Sequence, residues 1–170
     1  MIPKIPLMCF CGVLVGAFFF PDRVMAQMKK VDGYDDYKFG MTVDQALKVR
    51  LAAKRNTPCD YSGVPVCLEY ATTVSVFPAT VNVQFQGDTP LLSQILITIR
   101  SLDEPVRRPC HEVGKEVLRL LVDKYGTHPF IKDRAATWTS PEGGSVSLLA
   151  LCVDENKGVN VISYRPSSPL

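Results

Sequence analysis

Thr80–Gln86 reads TVNVQFQ and Gln94–Arg100 reads QILITIR, with the turn residues Gly87-Asp88-Thr89-Pro90 between them. Val81, Val83 and Phe85 alternate with Asn82, Gln84 and Gln86, and Ile95, Ile97 and Ile99 repeat that period of two. A segment that buries every second side chain is a strand with one packed and one wet face. Two such runs joined by Gly-Asp-Thr-Pro predict antiparallel strands, and with them a sheet that needs a cover on one side only.

Outward from this pair, the same alternation precedes it. Val66, Leu68 and Tyr70 share a parity that Val74 and Val76 continue, and Phe77-Pro78 ends this long strand or splits it from the next. Earlier still, Thr42-Val43-Asp44-Gln45 has the form of a capping box. Val43, Ala46, Leu47 and Leu51 then fall on one side of a helix that should stop before Asn56-Thr57-Pro58. Downstream, Val113, Val117, Leu118 and Leu121 form one face of a second helix that opens near Cys110, with Gly126 as its C-cap. Strands are expected around Ala136 and Trp138, from Ser145 to Val153 and from Val159 to Arg165. Pro141–Gly144 and Asn156–Gly158 supply the hairpin turns. The fold class expected is α+β: two helix-plus-three-strand units (αβββαβββ), an antiparallel sheet, and both helices packed on one of its faces.

The ends of the chain read differently. Leu7–Phe20, LMCFCGVLVGAFFF, is an uncharged run behind Lys4. As a helix it spans about 21 Å, short of the roughly 30 Å of bilayer hydrocarbon. With Val24-Met25-Ala26 behind it, residues 1–26 are expected to be a signal peptide cleaved before Gln27. Cys9 and Cys11 lack the small residues that precede a lipidated cysteine. Residues 27–38 are polar and charged and are expected to form a loose lead-in; 39–165 form a single domain, and 166–170 a flexible tail. Charged residues make up 21% and the net charge is +2, which excludes a disordered chain and a broad nucleic-acid-binding field. The expected location is periplasmic or secreted, with no membrane span after signal cleavage.

Cys59, Cys67, Cys110 and Cys152 remain after that cleavage, and an even count in an exported chain reads as two disulfides. Of the three possible pairings, Cys59–Cys67 with Cys110–Cys152 is favoured: the first closes the loop DYSGVPV, and the second joins the apolar helix face to the sheet. No CxxC pair supports a zinc site, and no metal or cofactor is expected.

Phe39-Gly40-Met41-Thr42 with Gln45, ahead of a helix, resembles the Gly-Met-Thr helix start of the outer-membrane assembly lipoprotein family. That family shares a layered α+β fold with the β-lactamase inhibitor protein. Tyr125-Gly126, Trp138 and Gly143-Gly144 before an alternating strand look like the end of many small periplasmic proteins. The lipidation cysteine and the Gly-x-Pro after the first helix are absent here. The resemblance implies a periplasmic binding module.

No nucleophile motif, paired acids or phosphate loop stands out, so catalysis is not expected. Cys110-His111 are neighbours whose side chains diverge on a helix. Asp32, Asp35 and Asp36 lack the spacing of a calcium loop. His128 reads as a surface loop residue and Trp138 as a core anchor. The candidate binding residues are Tyr61, Val64 and Pro65 in the Cys59–Cys67 ring, which is pre-ordered for contact, with Arg107 and Arg108 as anion-facing partners. The expected function is an exported, non-enzymatic module that binds another exported or envelope protein, as an inhibitor or immunity protein or as an envelope-assembly accessory. The alternative is a binder of a small molecule or envelope component on the concave side of the sheet. A hydrolase with an unrecognised site ranks last.

Overall fold

A computed structural model describes residues 30–60, 63–100, 108–126, 129–132, 134–154 and 158–167. The proposed signal peptide lies outside these residues, as do Tyr61, Arg107, His128 and the last three residues of the tail. Among them the chain runs β1 (Gly33–Tyr34), β2 (Tyr37–Lys38), α1 (Val43–Val49), β3 (Lys54–Asn56), β4 (Val66–Val74), β5 (Phe77–Gln86), β6 (Leu91–Arg100), α2 (Cys110–Tyr125), β7 (Phe130–Lys132), β8 (Ala135–Thr139), β9 (Ser145–Cys152) and β10 (Gly158–Arg165). β1 and β2 pair as a small hairpin, and the other eight strands form one antiparallel sheet in the order β3-β4-β5-β6-β10-β9-β8-β7.

Each half of that sheet is a meander, and the halves join where β10 pairs with β6. The register puts alternate residues into one continuous core. Leu68 lies opposite Val83, Val83 opposite Ile95, Ile97 opposite Ile162, and Ile162 opposite Leu148. All are buried in the same cluster as Val113 and Val117 of α2 and Val43 and Ala46 of α1. Burial of such side chains supplies about 1.5–3 kcal/mol each.

The αβββ repeat does not survive as such. Each helix is followed by four strands, and the helices are unequal, with 7 residues in α1 and 16 in α2. The expected capping box is present: Thr42 N donates to Gln45 Oε1 at 2.9 Å, and Gln45 N donates to Thr42 Oγ1 at 3.3 Å. The helix nevertheless ends at Val49, because Lys54–Asn56 is drawn into an edge strand against Cys67–Glu69, and Leu51 is left 87% exposed. The split at Phe77-Pro78 is a turn at Ser75-Val76, with Phe77 already the first residue of β5 and only 1% exposed. Ser75 adopts a positive φ of 57° there.

The lead-in is not loose over its described residues. Tyr37 is fully buried and stacks on Tyr70 at 5.9 Å, Val31 is 3% exposed, and Tyr34 packs on Tyr164 at 5.2 Å. The polar residues that suggested a solvated segment are the outward half of the β1–β2 hairpin.

Both favoured disulfides are present, Cys59–Cys67 and Cys110–Cys152. With 42 residues of separation, the second restrains the unfolded chain by about 4 kcal/mol on the loop-entropy model, against about 2.5 for the 8-residue ring. Cys110–Cys152 bolts the start of α2 to β9, and the junction is tight. Asn160 Nδ2, fully buried on β10, donates to the Cys110 carbonyl at 3.1 Å. A Cβ on Gly114 would meet Asn160 Oδ1 at 2.7 Å, so the helix approaches the sheet at glycine distance.

Gly158 completes this contact, since a Cβ there would collide with Cys110 Sγ and lie 2.6 Å from the Leu151 carbonyl oxygen. Gly158→Ala is therefore expected to lower stability by about 2–3 kcal/mol, read as a fall in urea midpoint at unchanged m-value. Unchanged stability would show that the α2 junction has slack.

Candidate functional surfaces

Among the described residues, those singled out from sequence do not meet at one site. In the Cys59–Cys67 ring, Val64 is turned inward, 7% exposed, and its carbonyl accepts from Cys59 N at 3.3 Å. Val64 therefore builds the ring and does not present a contact, whereas Pro65 is exposed. The ring rests on the sheet face away from the helices, with Asn82 Nδ2 4.0 Å from Cys59 Sγ. Arg108 is at the far end of the β4–β5 hairpin, where it pairs with Glu116 at 3.1 Å and sits 5.8 Å over the Phe77 ring. The eight steps from Val66 to Val74 separate the two by about 26 Å. In the lead-in, Asp32 pairs with Lys38 at 3.0 Å and Asp35 with Arg50 at 3.6 Å, so these carboxylates have cationic partners. Trp138 is 3% exposed and donates its Nε1 proton to the Gly126 carbonyl at 2.9 Å, tying β8 to the end of α2.

Two other surfaces stand out. The first is the sheet face away from the helices. Across β8, β9, β10, β6 and β5 the register aligns Ala135, Leu149, Val161, Thr98 and Thr80. The neighbouring row aligns Thr137, Ser147, Ser163 and Leu96, and on the other side Leu151 lies opposite Val159. None of these side chains is charged; the cations Lys132, Arg100 and Arg165 stand at the margins. Thr137 and Ser147 share a hydrogen bond of 2.9 Å, and Gln94 turns its amide oxygen to the Arg165 guanidinium at 3.1 Å. Phe130, opposite Thr137, and Leu151 are 69% and 45% exposed.

The second is a cavity of about 420 Å³ on the helix side, between α2 and strands β7–β9. Its cause is dimensional. Eight strands are about 34 Å wide, whereas one helix covers about 10–12 Å. α2 packs on β9 and β10 and stops short of the β7 edge. Gly114, Ala136 and Ala150 leave the gap unfilled, with Leu118, Leu148 and Ile131 as its apolar walls. His111 and Lys115 border it from the helix and Arg134 from the β7–β8 turn. Another cavity, of about 430 Å³, lies beside the lead-in, where Lys38 is already paired with Asp32. The sequence pointed to neither Arg134 nor the role of Lys115. The apolar pair Phe130-Ile131 just after His128-Pro129 is the one signal that marks that edge.

Behind the β1–β2 hairpin, burial pushes the phenols of Tyr34, Tyr37, Tyr70 and Tyr164 above the ordinary tyrosine value, most strongly for Tyr70 and Tyr164. Arg50 stacks over the Tyr70 ring at 4.1 Å, which opposes the shift without cancelling it. Tyr37 and Tyr70 hydroxyls are buried without a hydrogen-bond partner among the described residues.

Comparison with protein-family models, curated proteins and solved structures finds no match to this chain.

The tyrosine cluster sets an alkaline limit. Unfolded tyrosines release protons near pH 10, while the buried ones hold theirs, so stability present below that pH falls as pH rises past it. Tyr70→Phe is expected to flatten this fall in a series of urea titrations, and to be neutral or stabilising by up to about 1 kcal/mol at pH 7. An equally steep fall in the variant would remove Tyr70 from the account.

Proposed function

We propose that the chain is an exported, non-enzymatic binding protein that engages another exported or envelope protein through the helix-free face of its sheet. The observation that carries this reading is the row structure of that face. A solvated sheet face ordinarily alternates charged and polar residues, whereas here aliphatic and small hydroxyl side chains run uncharged across four inner strands. Depletion of charge at the centre with cations at the rim is the composition of an interface core. The patch measures roughly 15 Å by 20 Å from the strand spacing, which suits a modest partner interface better than an obligate one.

Two disulfides support residence in an oxidising compartment. Among the described residues no helix is long and apolar enough to cross a membrane. Periplasmic or secreted location completes the proposal, and so does the resemblance of Phe39–Gln45 to the outer-membrane assembly lipoprotein family. An inhibitor or immunity role and an envelope-assembly role are both forms of it.

Val161 lies at the centre of the patch, and Val161→Lys puts a charge there that a partner must desolvate. A partner captured from envelope extract by the oxidised chain is expected to bind this variant at least about 30-fold more weakly, at equal urea midpoint. Arg108→Ala should bind as the parent does. Undiminished capture by Val161→Lys together with loss by Tyr61→Ala would move recognition to the disulfide ring.

A further inference from the structure

We infer that the cavity between α2 and β7–β9 is a binding site for a small amphiphile with an anionic head and a single apolar tail. It lies on the opposite side of the sheet from the proposed protein-binding face, and either can hold without the other.

Its walls and its rim have different chemistry. Inside, Gly114, Ala136 and Ala150 provide room, and Leu118, Ile131 and Leu148 provide apolar surface. The 420 Å³ volume falls within the roughly 300–1,000 Å³ that small-molecule sites occupy. Ile131 is 69% exposed, an apolar side chain with no cover among the described residues. At the rim, His111, Lys115 and Leu118 lie at spacings of four and three on one stripe of α2, and Arg134 faces them from the β7–β8 turn. Lys115 and Arg134 have no acidic partner among the described residues, and none of the described residues that line the cavity is a carboxylate. A lysine, an arginine and an imidazole ring at the mouth of an apolar slot select an anion joined to a hydrocarbon, and they penalise a cationic head.

The backbone at Arg134 points the same way. Its φ is +68°, the left-handed region that a tight two-residue hairpin turn requires and that Gly or Asn enters with least strain. An arginine at that position accepts a cost in order to place a guanidinium at the cavity mouth.

The experiment uses the oxidised, exported chain with three twelve-carbon probes below their micellar concentrations: dodecanoate, dodecyl phosphate and dodecyltrimethylammonium. Binding is read by calorimetry and mapped by amide chemical shifts. At least one anionic probe is expected to bind with amide shifts in His111–Leu118, β8 and β9, roughly tenfold more tightly than the ammonium probe. Which of the two binds better distinguishes a carboxylate from a phosphate head. Arg134→Gly relieves the backbone while removing the charge, so it should fold at least as stably and lose roughly tenfold in affinity. Lys115→Gln, at an exposed helix site, should lose affinity in the same direction. Failure of both anionic probes to bind, equal binding of the ammonium probe, shifts confined to the helix-free face, or full affinity in Arg134→Gly would each overturn the assignment.

Discussion

The contact on which the rest of the structure depends is the seat of α2 on β9 and β10. Three features make it close. Gly114 removes a side chain from the helix, Gly158 removes one from the strand, and Cys110–Cys152 fills the space between them with a covalent bond. Asn160 crosses the same gap with a hydrogen bond to the helix's first carbonyl, in a position shielded from water. Pro109 offers no side-chain cap to this helix. Its N-terminal end is held by the sheet where a local hydrogen bond would ordinarily hold it.

From that seat follow the two surfaces. A single 16-residue helix placed over the centre of an eight-stranded sheet cannot reach the edge, and the N-terminal hairpin with α1 covers the other half through the tyrosine cluster. The β7 edge is left with an apolar slot under one flank of α2. The opposite face carries no helix, and its only described cover is the Cys59–Cys67 ring at the β4–β5 end. That ring buries Asn82 and Gln84 and leaves the β6–β10–β9–β8 portion open. The ring is thus a cover and a staple for this end of the sheet, and among its described residues Asp60, Gly63 and Pro65 are exposed.

How legible this was depends on the range of the interactions involved. Alternation at Val81–Phe85 and Ile95–Ile99 located the strands because their pattern is local, and Thr42 with Gln45 located a helix start for the same reason. The disulfide pairing was legible from face parity, since Cys110 and Cys152 each shared the side of a core run. The end of α1 was misread because the pull on Lys54–Asn56 comes from its partners Cys67–Glu69 in β4, far along the chain, and no local pattern records it. The lead-in was misread because Tyr34 and Tyr37 find Tyr164 and Tyr70 only in three dimensions. The cavity was invisible because it is made by small residues, Gly114, Ala136 and Ala150, whose meaning depends on what stands opposite them. Similarly, Arg108 and the disulfide ring appeared as joint instruments of one site until the strand between them set them apart.

Amide hydrogen exchange of the oxidised chain beside a Cys110→Ser/Cys152→Ser variant tests the central claim most directly. In the parent, amides of α2 and of β10 around Asn160 should exchange only with global unfolding. In the variant, α2 should lose protection ahead of β4–β6, with the first turns opening earliest. Protection of α2 that falls only in step with the whole sheet would contradict the account, because the helix would then be held by general packing and not by the Cys110–Cys152 seat.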